Sequence, residues 1–171
     1  MSNVRFVDAS DRPGLENIIR EIELKNIACK VRYEEEYAEL ADQMVRNTLG
    51  KLGFRLKSKG TLYLHEIVTM MLNGDIDEAG SVVKETYPEI AKRNNTTAEA
   101  VERSVRVAIN NYWDNSKCVD CLGNIAEPLA EKGIIPDNKE TILNICSSVS
   151  EKLRKKSGSL RKELVEEIVL S

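Results

Sequence analysis

Apolar residues along this chain recur mostly at intervals of three and four, the period of a helix with one buried face. Over residues 13–28 the stripe is Leu15, Ile18, Ile19, Ile22 and Ile27, and Pro13 suits a first helical turn. A second stripe, Tyr37, Leu40, Ala41, Met44, Val45, Leu49 and Leu52, predicts a helix over residues 33–52. The acidic run Glu34-Glu35-Glu36 at its start matches the positive end of a helix dipole. A third helix is predicted over residues 61–72 on Leu62, Leu64, Ile67, Val68, Met70, Met71 and Leu72, stopped by Asn73-Gly74-Asp75. Two short helices follow, over residues 78–86 and 88–93, then an Asn94-Asn95 turn and a longer helix reaching Trp113. The tail holds a helix over residues 138–155 and an amphipathic piece over residues 160–170, with Lys155-Lys156-Ser157-Gly158-Ser159 reading as a hinge. Val4 to Val7 has the composition of a short strand, without a visible partner. The expected fold is all-α. An N-terminal helical extension (residues 1–48) precedes a central helical domain (49–156), and a C-terminal helix (157–171) follows it.

Composition supports that reading. Aromatics are 5% of the chain, and it is rich in Leu, Ile, Val, Glu, Lys and Ala, which favours helices over a sheet sandwich. With 42% hydrophobic and 31% charged residues it can bury a core. No apolar run approaches the roughly 18 residues that span a bilayer, and the first residues have no apolar signal core. A cytoplasmic protein is expected, with Cys29, Cys118, Cys121 and Cys146 as thiols. The net charge of −3 counts against a general nucleic-acid binder. Between Leu49 and Lys117 there are ten Lys/Arg and nine Asp/Glu, a net of +1, so any affinity for DNA must come from where charges are placed.

Placement is most suggestive over residues 94–113, NNTTAEAVERSVRVAINNYW. On a helical wheel Ala98, Val101, Val105, Ala108, Ile109 and Tyr112 fall on one side. Glu99, Ala100, Arg103, Arg106, Val107 and Asn110 lie opposite. Thr96 followed by Glu99 matches a capping box, which places the helix start at Thr96. The preceding PEIAKRNN supplies a short helix with small Ala91 at a possible crossing, and Asn tolerates the left-handed backbone of a tight turn. Short helix, turn, longer helix is the helix-turn-helix pattern. The major groove admits one such helix, and outer residues three and four apart reach successive base pairs. Arg103 can fork onto a guanine, Glu102 can accept from a cytosine amino group, and Val107 or Ala100 can touch a thymine methyl. Many helical hairpins share this outline, so the pattern alone leaves a plain solvated helix open.

The segments GTLYLHEIVTMM and YPEIAKRNNTTAEAVERSVRVAI, with Trp113 just after them, resemble the C-terminal effector domain of the sporulation initiation response regulator family (stage-zero sporulation protein A). The likeness covers about residues 45–115 well and residues 138–156 less closely. It implies an all-helical domain of about six helices around a helix-turn-helix, and sequence-specific binding to double-stranded DNA, often as adjacent copies on tandem sites. The family's base-reading Glu-Arg pair falls on Glu102 and Arg103, its next Arg on Arg106, and its paired Thr on Thr96 and Thr97. Glu99 joins them on the outer face. Lys92, Arg93 and Lys59, the last in the run Arg55-Leu56-Lys57-Ser58-Lys59, are candidates for phosphate contact. Further partners under this reading are a second copy of the chain and RNA polymerase.

The chain also departs from the family. Ala100 stands where the family carries a basic residue, Val107 where it has His, and Asn95 where it has a large hydrophobic residue. Residues 1–48 are too short for the family's receiver domain and lack its acidic cluster, its phosphate-accepting Asp and its Lys. Phosphorylation in the family's way is therefore not expected, and the N-terminal stripes are expected to pack on the core, dimerise or bind a partner.

The remaining chemistry is sparse. Cys118 and Cys121 form a CxxC, but a zinc site needs two more ligands, and only Cys29, His65 and Cys146 remain as nitrogen or sulfur donors. No cofactor or metal is expected. A metal-sensing regulator through that CxxC stays a minority alternative. His65 reads as a structural histidine. With no P-loop, GxSxG, HExxH or dinucleotide fingerprint, the chain is not expected to be an enzyme. The competing class is a protein-interaction module that kept the fold, lost DNA binding and sequesters a regulator or polymerase subunit.

Overall fold

A computed structural model describes residues 12–74, 82–115 and 137–170. The expected strand at Val4 to Val7 and the CxxC at Cys118 lie outside these residues. The described chain is all-α, with five helices: α1 (Arg12–Lys51), α2 (Lys59–Leu72), α3 (Val82–Arg93), α4 (Ala98–Asn115) and α5 (Asn138–Leu170). It divides into two compact units, residues 38–156 and residues 1–37 with 157–171.

The 38–156 unit is built around one core. Val45 and Leu49 from α1, Leu64, Ile67 and Val68 from α2, Ile90 from α3, Val101, Val105 and Ile109 from α4, and Ile142 and Val149 from α5 are essentially inaccessible. On α2 the buried positions 64, 67, 68 and 71 follow the helical period. Leu62 does not: expected on the apolar face, it is 47% exposed, because the period leaves it on the opposite side.

Local chemistry sets where these helices begin and end. Ser58, in extended backbone, caps α2, its hydroxyl oxygen accepting from the Thr61 N–H at 3.3 Å. This starts α2 at Lys59, two residues before the position predicted from apolar spacing. Gly53 (φ 88) closes the C-terminus of α1, where Gly53 N–H donates to Gly50 O (3.0 Å) and Phe54 N–H to Leu49 O (3.0 Å). This is a Schellman motif, in which Gly adopts the left-handed backbone without a Cβ clash. Phe54 is thereby turned inward to stack on Tyr112 of α4, with centroids 4.5 Å apart and planes 11° from parallel.

Three predicted breaks are absent. The two helices expected over residues 13–28 and 33–52 are one continuous α1. No Gly or Pro interrupts Cys29 to Arg32, and the ion pairs Lys30–Glu34 (3.9 Å) and Arg32–Glu36 (2.7 Å) bridge the expected junction. Glu34-Glu35-Glu36 therefore sits mid-helix. The expected hinge at 155–159 is likewise helical within α5. Gly158 has open space where its Cβ would be, so it costs helix propensity of about 1 kcal/mol but leaves the helix intact. Residues 82–93 form one helix with Pro88 inside it.

Candidate nucleic-acid interface

α3, a four-residue connection and α4 form the helix-turn-helix. Asn95 carries the turn at φ 50, the left-handed region that Asn tolerates better than most residues. Thr96 N–H donates to Ala91 O at 2.9 Å and Asn95 N–H to Lys92 O at 3.5 Å, again the Schellman pattern. A large hydrophobic residue at 95 would be strained in this left-handed backbone.

The turn also corrects the capping assignment. Thr96 is engaged in closing α3, so it does not cap α4. Thr97 does: its Oγ1 accepts from the Ala100 N–H at 3.2 Å, and α4 begins at Ala98. Glu99 still takes part. Its own backbone N–H and then the Thr97 hydroxyl hold its carboxyl below the usual carboxylate range. It therefore presents a fixed negative charge in the first turn.

α4 is held from behind at three places. Val101, Val105 and Ile109 bury its inner face. A Cβ on Gly60 would lie 1.9 Å from Ser104 O, so only glycine lets the start of α2 approach the α4 backbone this closely. The Asn138 amide, at the start of α5, donates to Tyr87 Oη of α3 at 3.3 Å and to Glu102 O of α4 at 3.4 Å. One side chain thus spans both helices of the motif. Burial, chiefly, pushes the Tyr87 hydroxyl above its usual range.

The outer face is open. Glu99, Arg103, Arg106, Val107 and Asn110 are exposed, with Ala100 and Glu102 partly so. One shallow depression gathers Thr97, Glu99, Ala100, Glu102, Arg103 and Arg106. Arg106 is ion-paired to Glu102 one turn back, whereas Arg103 has no ion-pair partner among the described residues. The other predicted residues are not brought into this depression. Lys92 is exposed on the last turn of α3, and Arg93 is held by Glu89 at 2.9 Å. Lys59 is exposed at the first position of α2, and Thr96 lies within the turn. Sequence reasoning missed Gly60, Ser104 and Asn138 as supports. A glycine in the first turn of a strong helix hinted at close approach, but nothing local marked the partner.

His65 is structural in its surroundings. Its side chain is 16% exposed, and Nε2 lies 3.1 Å from Asp42 Oδ1. Cys146 is buried in the core and Cys29 is half-buried on α1. No group of three or more His, Cys, Asp or Glu suited to a metal occurs among the described residues.

The family described as sporulation initiation factor Spo0A C terminal matches residues 45–149, more than half of the chain. The protein belongs to this family. The match runs from buried Val45 on α1 to buried Val149 on α5 and lies wholly within the 38–156 unit. The all-helical architecture agrees with it, and so does the resemblance read from residues 45–115. The family is one of DNA-binding effector domains of sporulation regulators. Among the described residues no helix is long and apolar enough to cross a membrane.

Proposed function

We propose that this chain is a sequence-specific regulator of transcription that lays the outer face of α4 in the major groove of double-stranded DNA. The observation that carries the reading is the arrangement on that face: Arg103 exposed and without an ion-pair partner among the described residues, beside a Glu102–Arg106 pair, on a helix fixed from behind by Gly60 and Asn138. An unpaired guanidinium is free to form two hydrogen bonds to a guanine edge. The Glu102–Arg106 pair keeps both groups extended along the helix, where DNA can exchange one partner for a base or phosphate. Lys59, Lys92 and Arg93 supply phosphate contacts, and Thr97 and the first amides of α4 face the backbone. Adjacent copies on tandem sites, contact with RNA polymerase and a cytoplasmic location complete the reading.

Ala100 and Val107 shape the sequence preference. Small and apolar, they favour thymine methyls over the polar contacts that a basic residue or His would make. The preferred site is therefore expected to be richer in A·T pairs around the Arg103 contact than one read by polar residues at both positions.

A second reading rests on the same face. Glu99 and Glu102 offset Arg103 and Arg106, and Val107 is 51% exposed, which suits a protein partner. Selection from random duplex DNA followed by titration across a salt series separates the two. DNA reading requires an enriched sequence and a linear fall of log affinity with log salt. Absence of any enriched sequence at low salt would transfer the face to a protein partner.

A further inference from the structure

We propose that residues 15–31 of α1 form a homotypic interface, covered by the corresponding helix of a second copy of this chain. Leu15, Ile19, Ile22, Leu24, Ile27 and Val31 are each 47–60% exposed, six large aliphatic side chains within seventeen positions. They belong to the unit of residues 1–37 and 157–171. There Leu164 is the one buried aliphatic side chain among the described residues, and Val165 is a further exposed one. Arg32 ties α1 to α5 within this unit, pairing with Glu36 at 2.7 Å and Glu167 at 2.8 Å.

Two helices cannot enclose a core; four can. The exposed residues form two stripes, Leu15–Ile19–Ile22 and Leu24–Ile27–Val31, each at helical spacing. One neighbouring helix covers one stripe, so two stripes call for neighbours on two sides. A second copy brings two helices and completes a four-helix arrangement.

Area and charge agree with this occupant. At roughly half exposure the six side chains present on the order of 500 Å² of apolar surface, so two copies bury about 1,000 Å² from them alone, the area at which an interface becomes specific. The charged positions along the stretch balance, three acidic (Glu16, Glu21 and Glu23) and three basic (Arg20, Lys25 and Lys30). Two identical faces related by a twofold axis therefore meet without the repulsion that a single-sign surface would produce. The inference does not depend on DNA.

Sedimentation equilibrium of the full chain without DNA tests it. Wild type is expected at twice the 19.2 kDa chain mass. The double variant Ile22→Lys/Ile27→Lys, one change on each stripe, is expected to raise the dissociation constant more than about 100-fold with unchanged helical circular dichroism. Leu15→Ser/Leu24→Ser, which adds no charge, is expected to weaken the dimer less. Leu62→Lys, at an exposed aliphatic of the other unit, is expected to leave it intact. A monomeric wild type up to millimolar concentration would overturn the proposal. So would a double variant that dimerises as tightly as wild type, or a dimer equally lost in Leu62→Lys.

Discussion

The two compact units of this chain treat the same residue types in opposite ways. In residues 38–156, aliphatic side chains at helical spacing converge on one core, and Leu56, Leu62 and Val107 are the large hydrophobics left exposed among the described residues. Among the described residues of 1–37 with 157–171, seven are exposed and one aliphatic is buried. The difference lies in the number of helices available to each stripe. Several helices surround the first core; among the described residues two helices share the second unit. An apolar stripe thus announces that something covers it without saying whether the cover comes from the same chain. The family match, confined to residues 45–149, follows the same division.

The sharpest contrast is between two leucines. Leu64→Ala removes a fully buried side chain and is expected to cost about 2–5 kcal/mol of stability in urea unfolding. Leu24→Ala, at a site 60% exposed, is expected to change the stability of the monomer by less than about 0.5 kcal/mol. Equal losses would erase the distinction between the units.

Gly60→Ala comes next. Its new methyl meets the Ser104 carbonyl of the backbone, so α2 or α4 must shift, and a loss of about 1–3 kcal/mol is expected. Calorimetric melting checks it. A neutral result would mean that α4 is not held this closely from behind.

Capping separates two adjacent threonines. Thr97→Ala is expected to lose about 1 kcal/mol, and Thr96→Ala, whose contribution to the turn is a backbone N–H, much less. Chemical denaturation of both variants checks the order, and the reverse order would restore Thr96 as the cap.

The smallest effect is alkaline. Because the Tyr87 hydroxyl is raised above its ordinary value of 10.0, the neutral form is favoured in the folded state. Its contribution to stability is fully present below about pH 10 and is lost as pH rises through the folded value. Stability measured between pH 9 and 11 should fall less steeply in Tyr87→Phe than in wild type.

Much of this was readable from residue spacing. The inner and outer faces of α4 and the turn at Asn95 followed from the helical period and from Asn's tolerance of the left-handed backbone. The continuity of α1 and α5 was not, because Glu34-Glu35-Glu36 and Ser157-Gly158 look like boundaries until the i,i+4 pairs and the open space around Gly158 are seen. The cap moved by one residue because two threonines compete and only the turn geometry decides between them. Asn138 was invisible, since its partners Tyr87 and Glu102 are distant in sequence. Within the candidate site, the residue types were legible; that Arg106 is ion-paired while Arg103 has no ion-pair partner among the described residues required coordinates.

The central claim is that α4 reads bases through Arg103. The most direct measurement is the ratio of affinities for a selected duplex and a scrambled duplex, at two salt concentrations, for wild type and Arg103→Ala. The account predicts that the variant loses about 1–3 kcal/mol of that preference, with specificity relaxed at one base position. A variant that keeps the full preference would contradict it.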